Sequence, residues 1–258
     1  LATSFIRGGG ARGKVLLFRG EGLGGLSLDE RATRRNMAVE AMAMTAVVEA
    51  DGRIAAELGA LRGMDPKEVE AGIIRCDPDA NYDASIKLNL STVEPIVATP
   101  GDPKNGRPLS ALAHPVLIDM AYGGSCTGGK AGDMDAYAEA LELGLAKGLR
   151  VADGVRLYIQ MGSQRIRRYA EERGYLETFR RAGALIIPPS CGACIRAGPG
   201  TSRAPGEVTL SAINRNFPGR SGPGDVYLAS PRIVAIGALL GRIPNGDDLQ
   251  SFTQVKPL

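Results

Sequence analysis

The sequence predicts an α/β protein of three-layer α/β/α architecture on largely parallel sheets. Two observations lead there. Beyond residue 110, short apolar runs alternate with longer helical patterns, the βαβ rhythm that sets parallel strands beneath covering helices. The 258 residues, 44% hydrophobic and 23% charged, are also enough to bury a core in one large domain or two unequal ones.

Charge and cysteine usage narrow the function classes. The formal charge is +3, with 31 basic and 28 acidic residues mixed along the chain, so neither nucleic acid nor a membrane surface is implied as a partner. The longest apolar stretches, such as 233–240, fall short of a bilayer span, and the opening does not resemble a targeting peptide. Four cysteines, two of them in a C-x2-C turn, fit a reducing compartment better than a disulfide framework. The expected location is the cytoplasm.

The elements follow in order. Val15 to Phe18 reads as a buried strand after a glycine-rich lead. Ser27 and Glu30 have capping-box spacing, and the helix they open is expected to run through Met37 and Glu40 to Met44. Asp65 and Pro66 open a second helix as N-cap and first residue, ending near Gly72. Residues 84–90 alternate, with Ile86, Leu88 and Leu90 on one face, as a half-buried strand does. Prolines 95, 100, 103 and 108 then crowd a stretch where helix and central strand are both disfavoured. This sets the expected division: a partial α/β domain over 1–95, a Pro/Gly-rich connection over 96–110, a second α/β domain over 111–245 and a tail over 246–258. In the second domain we expect strand 116–122, helix 132–147, strand 155–160, helix 164–181, strand 185–187 and a helix from Ser230 and Pro231 to Leu240.

Ligands of open parallel sheets gather at the carboxyl ends of strands. Cys126 lies just past one expected strand, and Cys191 and Cys194 just past another, about sixty residues on. Thiolates are soft anionic ligands, and two from one turn with a third from a distant loop can hold an iron-sulfur cluster while leaving one iron open as a Lewis acid. Alone, the pair also fits zinc or a redox dithiol, and Cys126 a small buried hydrophobe. A zinc site would have to recruit His114 or Cys76 as fourth ligand. Cys76, without a partner at useful spacing, reads as a bystander, and His114 as a structural histidine. Arg215 and Arg220, in Asn214-Arg-Asn-Phe-Pro-Gly-Arg, are two planar donor forks that match carboxylates. Asn36 and Glu40 stand four apart, which would place them on one helix face, where by pattern alone they are exposed polar residues.

These motifs together resemble the aconitase and 3-isopropylmalate dehydratase large-subunit family, in its C-terminal, cluster-binding part. Gly-Ser-Cys-Thr at 124–127, Cys-Gly-Ala-Cys at 191–194 and the 214–220 segment carry the likeness, supported by Asn36-Met37 with Glu40 and by Ala229-Ser230-Pro231. The resemblance implies aconitase-like domains and a 4Fe-4S cluster on Cys126, Cys191 and Cys194. It implies a hydro-lyase that isomerises a hydroxy di- or tricarboxylate by removing and re-adding water, with Asn214, Arg215 and Arg220 binding substrate and Asn36 and Glu40 at the catalytic centre. It further implies two partners, an upstream domain and a swivelling small subunit or domain, so this chain alone is expected to be a catalytically incomplete fragment or subunit. Gly128, Arg196 and Met42 depart from the family pattern, in which asparagine, a small residue and glycine are usual. A non-catalytic aconitase-like scaffold and a zinc-stabilised binding module are the competing expectations.

Overall fold

A computed structural model of the chain describes residues 3–112 and 115–253; His114 lies outside them. The chain forms two units, a smaller one over Gly8–Glu94 and a larger one comprising Leu1–Arg7 and Pro95–Leu258. The first helix, α1 (Ser4–Arg7), belongs to the larger unit, where Arg7 donates to the carbonyls of Lys104 and Gly106. Among the described residues no helix is long and apolar enough to cross a membrane.

In the smaller unit β1 (Val15–Phe18) and β2 (Thr45–Val48) pair in parallel, Val15 opposite Thr45 and Phe18 opposite Val48. Between them α2 (Leu28–Met37) starts at the expected capping box, the Ser27 hydroxyl and Glu30 carboxylate satisfying each other's backbone N–H groups. The helix does not reach Met44. It ends at Met37, and a three-residue turn, Val39–Ala41, and the left-handed Met42 (φ 66°) redirect the chain into β2. Ala38, Ala41, Met42, Ala43 and Met44 are helix-favouring residues, so local propensity argues for a continuation that tertiary pairing of β2 with β1 overrides. Asn36 and Glu40 therefore do not share a helix face.

Arg31 ties this unit together. It is 4% exposed, and its guanidinium donates to the carbonyls of Leu23, Leu26 and Glu49 and to the Asp51 carboxylate at 2.5 Å. Asp51 also caps α3 (Gly52–Arg62), and α4 (Pro66–Ala71) follows on Asp65 as expected. The strand expected over 84–90 is absent: Ile86 and Leu88 are 52% and 61% exposed, and the segment carries only a short turn at Leu90–Thr92. Alternation assigns side chains to faces but supplies no ladder partner, and no described strand pairs with these residues.

The larger unit holds a seven-stranded sheet. Its strands are β3 (Ile96–Ala98), β4 (Gly106–Pro108), β5 (Met120–Gly123), β6 (Arg156–Gln160), β7 (Leu185–Ile187), β8 (Val208–Ser211) and β9 (Asp225–Leu228), in spatial order β4-β3-β9-β8-β5-β6-β7. The run from β9 to β7 is parallel throughout. The proline-rich stretch expected to be irregular contributes β3 and β4 as an antiparallel pair at the sheet edge, where proline is tolerated. Short helix α5 (Ser125–Gly128) and long helix α6 (Ala131–Ala146) follow β5. The single helix expected over 164–181 is two, α7 (Gln164–Glu172) and α8 (Tyr175–Ala182), broken at the left-handed Gly174.

Strand alternation sorts the core into two faces. Ala121, Leu157, Ile159 and Leu210 pack with residues of α6, α8 and α9 (Pro231–Leu240). Met120, Tyr122, Tyr158, Val226 and Leu228 point the other way, onto Ala193, Cys194 and Ile213, so this face is covered by loops that carry the sequence motifs. The region expected to be a tail contains α10 (Gly246–Ser251), capped by Asn245 and Asp248, and Phe252 behind it is 2% exposed in the core.

The Asp51 carboxyl carries a pH dependence. Burial pushes its pKa up, but hydrogen bonds from Arg31 and from the Ile54 N–H, together with the Arg31 charge, outweigh this and leave it below the ordinary carboxylate range. A depressed folded value stabilises above the unfolded pKa of about 3.9 and is lost as pH falls through the lower folded value. Stability measured against pH should therefore fall more steeply below about pH 4 in wild type than in Asp51→Asn; matching profiles would show that the pair is not formed.

Candidate functional site

The chain runs β5, β6, β7 to one side and then returns to β8 on the other side of β5, so its order reverses at β5. At such a switch point the loops leaving neighbouring strands diverge and open a crevice. Cys126 leaves β5, Cys191 and Cys194 leave β7, and Asn214 leaves β8, all at carboxyl ends on one rim.

A buried polar network joins the loops on one side of the reversal. The Tyr122 hydroxyl of β5 donates to Gln160 Oε1 of β6 at 2.6 Å, and Gln160 Nε2 donates to the Pro188 carbonyl at 2.9 Å and the Ser190 hydroxyl at 2.8 Å. Burial pushes the Tyr122 hydroxyl up to about 12 against a hydrogen bond from the Ala193 N–H, with the neighbouring Cys194 and Cys191 adding to the rise. Tyr122 thus stays a protonated donor at neutral pH. Over it sits Gly192 (φ 52°), between the first cysteine of the pair and Ala193, where a Cβ would fall 2.3 Å from the Tyr122 oxygen.

The other side is closed by β8. Thr127, next to Cys126, donates its hydroxyl to the Ala212 carbonyl at 3.4 Å. Gly128 lies against the same residue so tightly that a Cβ would stand 2.6 Å from the Ala212 oxygen, which explains why this chain has glycine there. Two residues beyond Ala212, Asn214 Oδ1 accepts from the Cys194 thiol at 3.6 Å. A continuous path therefore runs from the Cys126 loop through Ala212 and Asn214 to Cys194.

All four cysteines are free thiols; Cys126 and Cys191 are exposed and Cys194 is buried. Ser125 (φ 67°) and Arg196 (φ 57°) flank the two cysteine turns in the left-handed region, which side chains other than glycine rarely adopt. Arg215 is half-buried, and Arg220 is half-buried with its Nε enclosed and without a hydrogen-bond partner among the described residues. Asn216 holds the segment down, donating to the Thr99 and Val226 carbonyls at 2.8 and 3.1 Å. In the smaller unit Asn36 is exposed, Glu40 is 5% exposed within the turn after α2, and Cys76 is half-buried. Among the described residues no three His, Cys, Asp or Glu side chains are gathered closely enough to hold one metal ion.

Sequence reasoning missed Tyr122 and Gln160. Gln160 had one legible mark, as a polar residue ending the apolar run Leu157, Tyr158, Ile159; nothing set Tyr122 apart from a core aromatic.

Fold and site together define an α/β protein with thiol and amide groups at the carboxyl rim of a parallel sheet. The pattern of the Aconitase family (aconitate hydratase) matches residues 2–241, and the chain belongs to that family. It is 39% identical over 243 residues to the 3-isopropylmalate dehydratase large subunit of Nautilia profundicola, covering 93% of this chain and 56% of that protein. The 3-isopropylmalate dehydratase large subunit 1 of Pyrococcus furiosus is 40% identical over 243 residues, covering 93% and 55%. That of Clostridioides difficile is 36% identical over 242 residues, again covering 93% and 55%. The chain spans about half the length of these curated relatives.

Two substitutions test the packing of the rim. Tyr122→Phe strands the buried Gln160 oxygen and should lower stability by about 1–3 kcal/mol. Gly128→Ala must push the Cys126 loop off Ala212, at about 1–3 kcal/mol. Urea midpoints check both, and wild-type midpoints would mean that the loops do not pack this way.

Proposed function

We propose that the chain is the cluster- and substrate-holding part of an iron-sulfur hydro-lyase that isomerises a hydroxy di- or tricarboxylate by removing and re-adding water. The observation that carries the reading is the contact of the Cys194 thiol with Asn214 at 3.6 Å, which joins the cysteine turn to the arginine-bearing segment.

The donor set suits a 4Fe-4S cluster. Cys126, Cys191 and Cys194 are free thiols, the soft ligands such a cluster takes, and they leave β5 and β7 at the same rim. One ion draws all its thiolates to about 2.3 Å, whereas a cluster gives each its own iron and tolerates a wider set. When bound, the cluster would supply a Lewis-acidic iron that three protein thiolates leave open.

The remaining work falls to this chain's side chains. Arg220, its Nε enclosed without a partner, is a donor held ready for a carboxylate, and Arg215 stands five residues before it. Asn214 lies 3.6 Å from the Cys194 sulfur, and once that sulfur is a thiolate the amide would present its N–H rather than its oxygen to it. We assign Asn36 and Glu40 to the catalytic centre by family likeness alone, as groups that line it near the open iron, where a carboxylate could bind an aquo or hydroxo ligand. Activity would need further polypeptide and a small subunit, as the relatives' designation as large subunits implies. Free thiols suit a reducing compartment such as the cytoplasm.

Anaerobic reconstitution with iron and sulfide should give a chain that retains both in equal amounts and absorbs visible light, and serine at position 126, 191 or 194 should sharply reduce retention. Zinc retained without sulfide, or full retention by Cys126→Ser, would overturn the assignment. In the assembled enzyme Arg220→Gln should lower kcat/KM at least about tenfold.

A further inference from the structure

Of the three non-glycine residues in the left-handed region, Arg196 alone is both charged and exposed. It ends the one-turn helix Gly192–Ile195 that carries Cys194, its N–H bonded to the Ala193 carbonyl at 3.1 Å, while the next N–H, of Ala197, bonds back to Gly192 at 3.1 Å. This is the position after a helical turn where glycine fits without penalty and a Cβ crowds the following carbonyl. The backbone therefore gives no reason for arginine.

Nor does the surface around it. Elsewhere in the same unit Arg156, Arg167, Arg232 and Arg242 hold carboxylates at 2.6 to 2.9 Å. The Arg196 side chain has no such partner among the described residues. An unfavourable backbone conformation kept for a side chain without an internal partner points to a partner that comes and goes. Arg196 follows Cys194 by two residues, and Cys194 in turn contacts Asn214, the residue before Arg215, so the arginine stands on the cysteine turn that meets the 214–220 segment.

We propose that Arg196 is a specificity-determining residue that contacts a third carboxylate of the substrate, so that the site favours tricarboxylates over dicarboxylates. This rests on reading the rim as a hydroxy-carboxylate site. Arg215 and Arg220 provide for two carboxylates; a third fork at the cysteine turn adds a contact that only a third anionic group uses.

The test is calorimetric binding of two unreactive probes, tricarballylate with three carboxylates and succinate with two, to the full 258-residue chain after cluster reconstitution, alongside thermal midpoints. Arg196→Gly should weaken tricarballylate about tenfold and succinate less than about threefold, as loss of one charge-assisted contact requires, while its midpoint rises because the left-handed backbone is relieved. Arg196→Gln, which keeps the side chain's bulk, should show the same binding loss without the gain in midpoint. Unchanged binding of both probes, or equal loss of both, overturns the proposal and leaves the site reading intact; a lower midpoint in Arg196→Gly overturns it by showing a structural role. A wild-type chain that binds neither probe removes the hydroxy-carboxylate reading and this inference together.

Discussion

The parallel ladder of β5 with β6 on one side and β8 on the other is the constraint from which the site follows. Parallel pairing points every strand's carboxyl end the same way, so the segments leaving β5, β7 and β8 must emerge on one rim, however far apart they lie in sequence. An antiparallel pairing of β5 with its neighbour β8 would send Cys126 and Asn214 to opposite edges. The register sets the fine placement: Tyr122 pairs with Tyr158 and with Ser211, which puts its hydroxyl beside Gln160 and its carbonyl within 3.2 Å of the Ser211 hydroxyl.

Loops alone would leave the rim loosely defined, since short turns bury little apolar surface. Here they are fastened by groups that cannot be left unpaired without cost. Gln160 spends both ends of its amide on the β5 tyrosine and the loop after β7, and Asn216 spends its amide nitrogen on two backbone carbonyls. The cysteine turn is also part of the core, with Ala193 1% and Cys194 5% exposed against Tyr122 and Tyr158. Exposed and buried thiols thus divide the work, Cys194 anchored by packing while Cys126 and Cys191 face outward.

Much of this was legible in the sequence for definite reasons. The three cysteines stand in glycine-bordered turns after apolar runs, and the βαβ rhythm predicts that such turns share a rim. Local chemistry also marked the caps at Ser27 and Asp65. What could not be read was nonlocal. The pairing that ends α2 at Met37 and makes residues 45–48 a strand opposes the helix propensity of the alanines and methionines between them. Strands β8 and β9 are four residues each among glycines and prolines, too short for their alternation to stand out. Residues 84–90 have strand alternation without a ladder, and Gln160 acquires its role only once β5 and β7 lie on either side of it. The left-handed conformation of Arg196 and Met42 gives a physical reason for the glycine or small residue usual at those places, and makes their side chains a departure that the backbone resists.

The central claim is that one parallel rim delivers three thiolates to one iron-sulfur centre. Anomalous X-ray scattering at the iron edge from crystals of the reconstituted chain tests it most directly. The account predicts one compact cluster of iron peaks with the sulfurs of Cys126, Cys191 and Cys194 each bonded to a different iron, and Asn214 beside the last. Iron held by the 191 and 194 pair alone, with the sulfur of Cys126 turned away from it, would contradict the account.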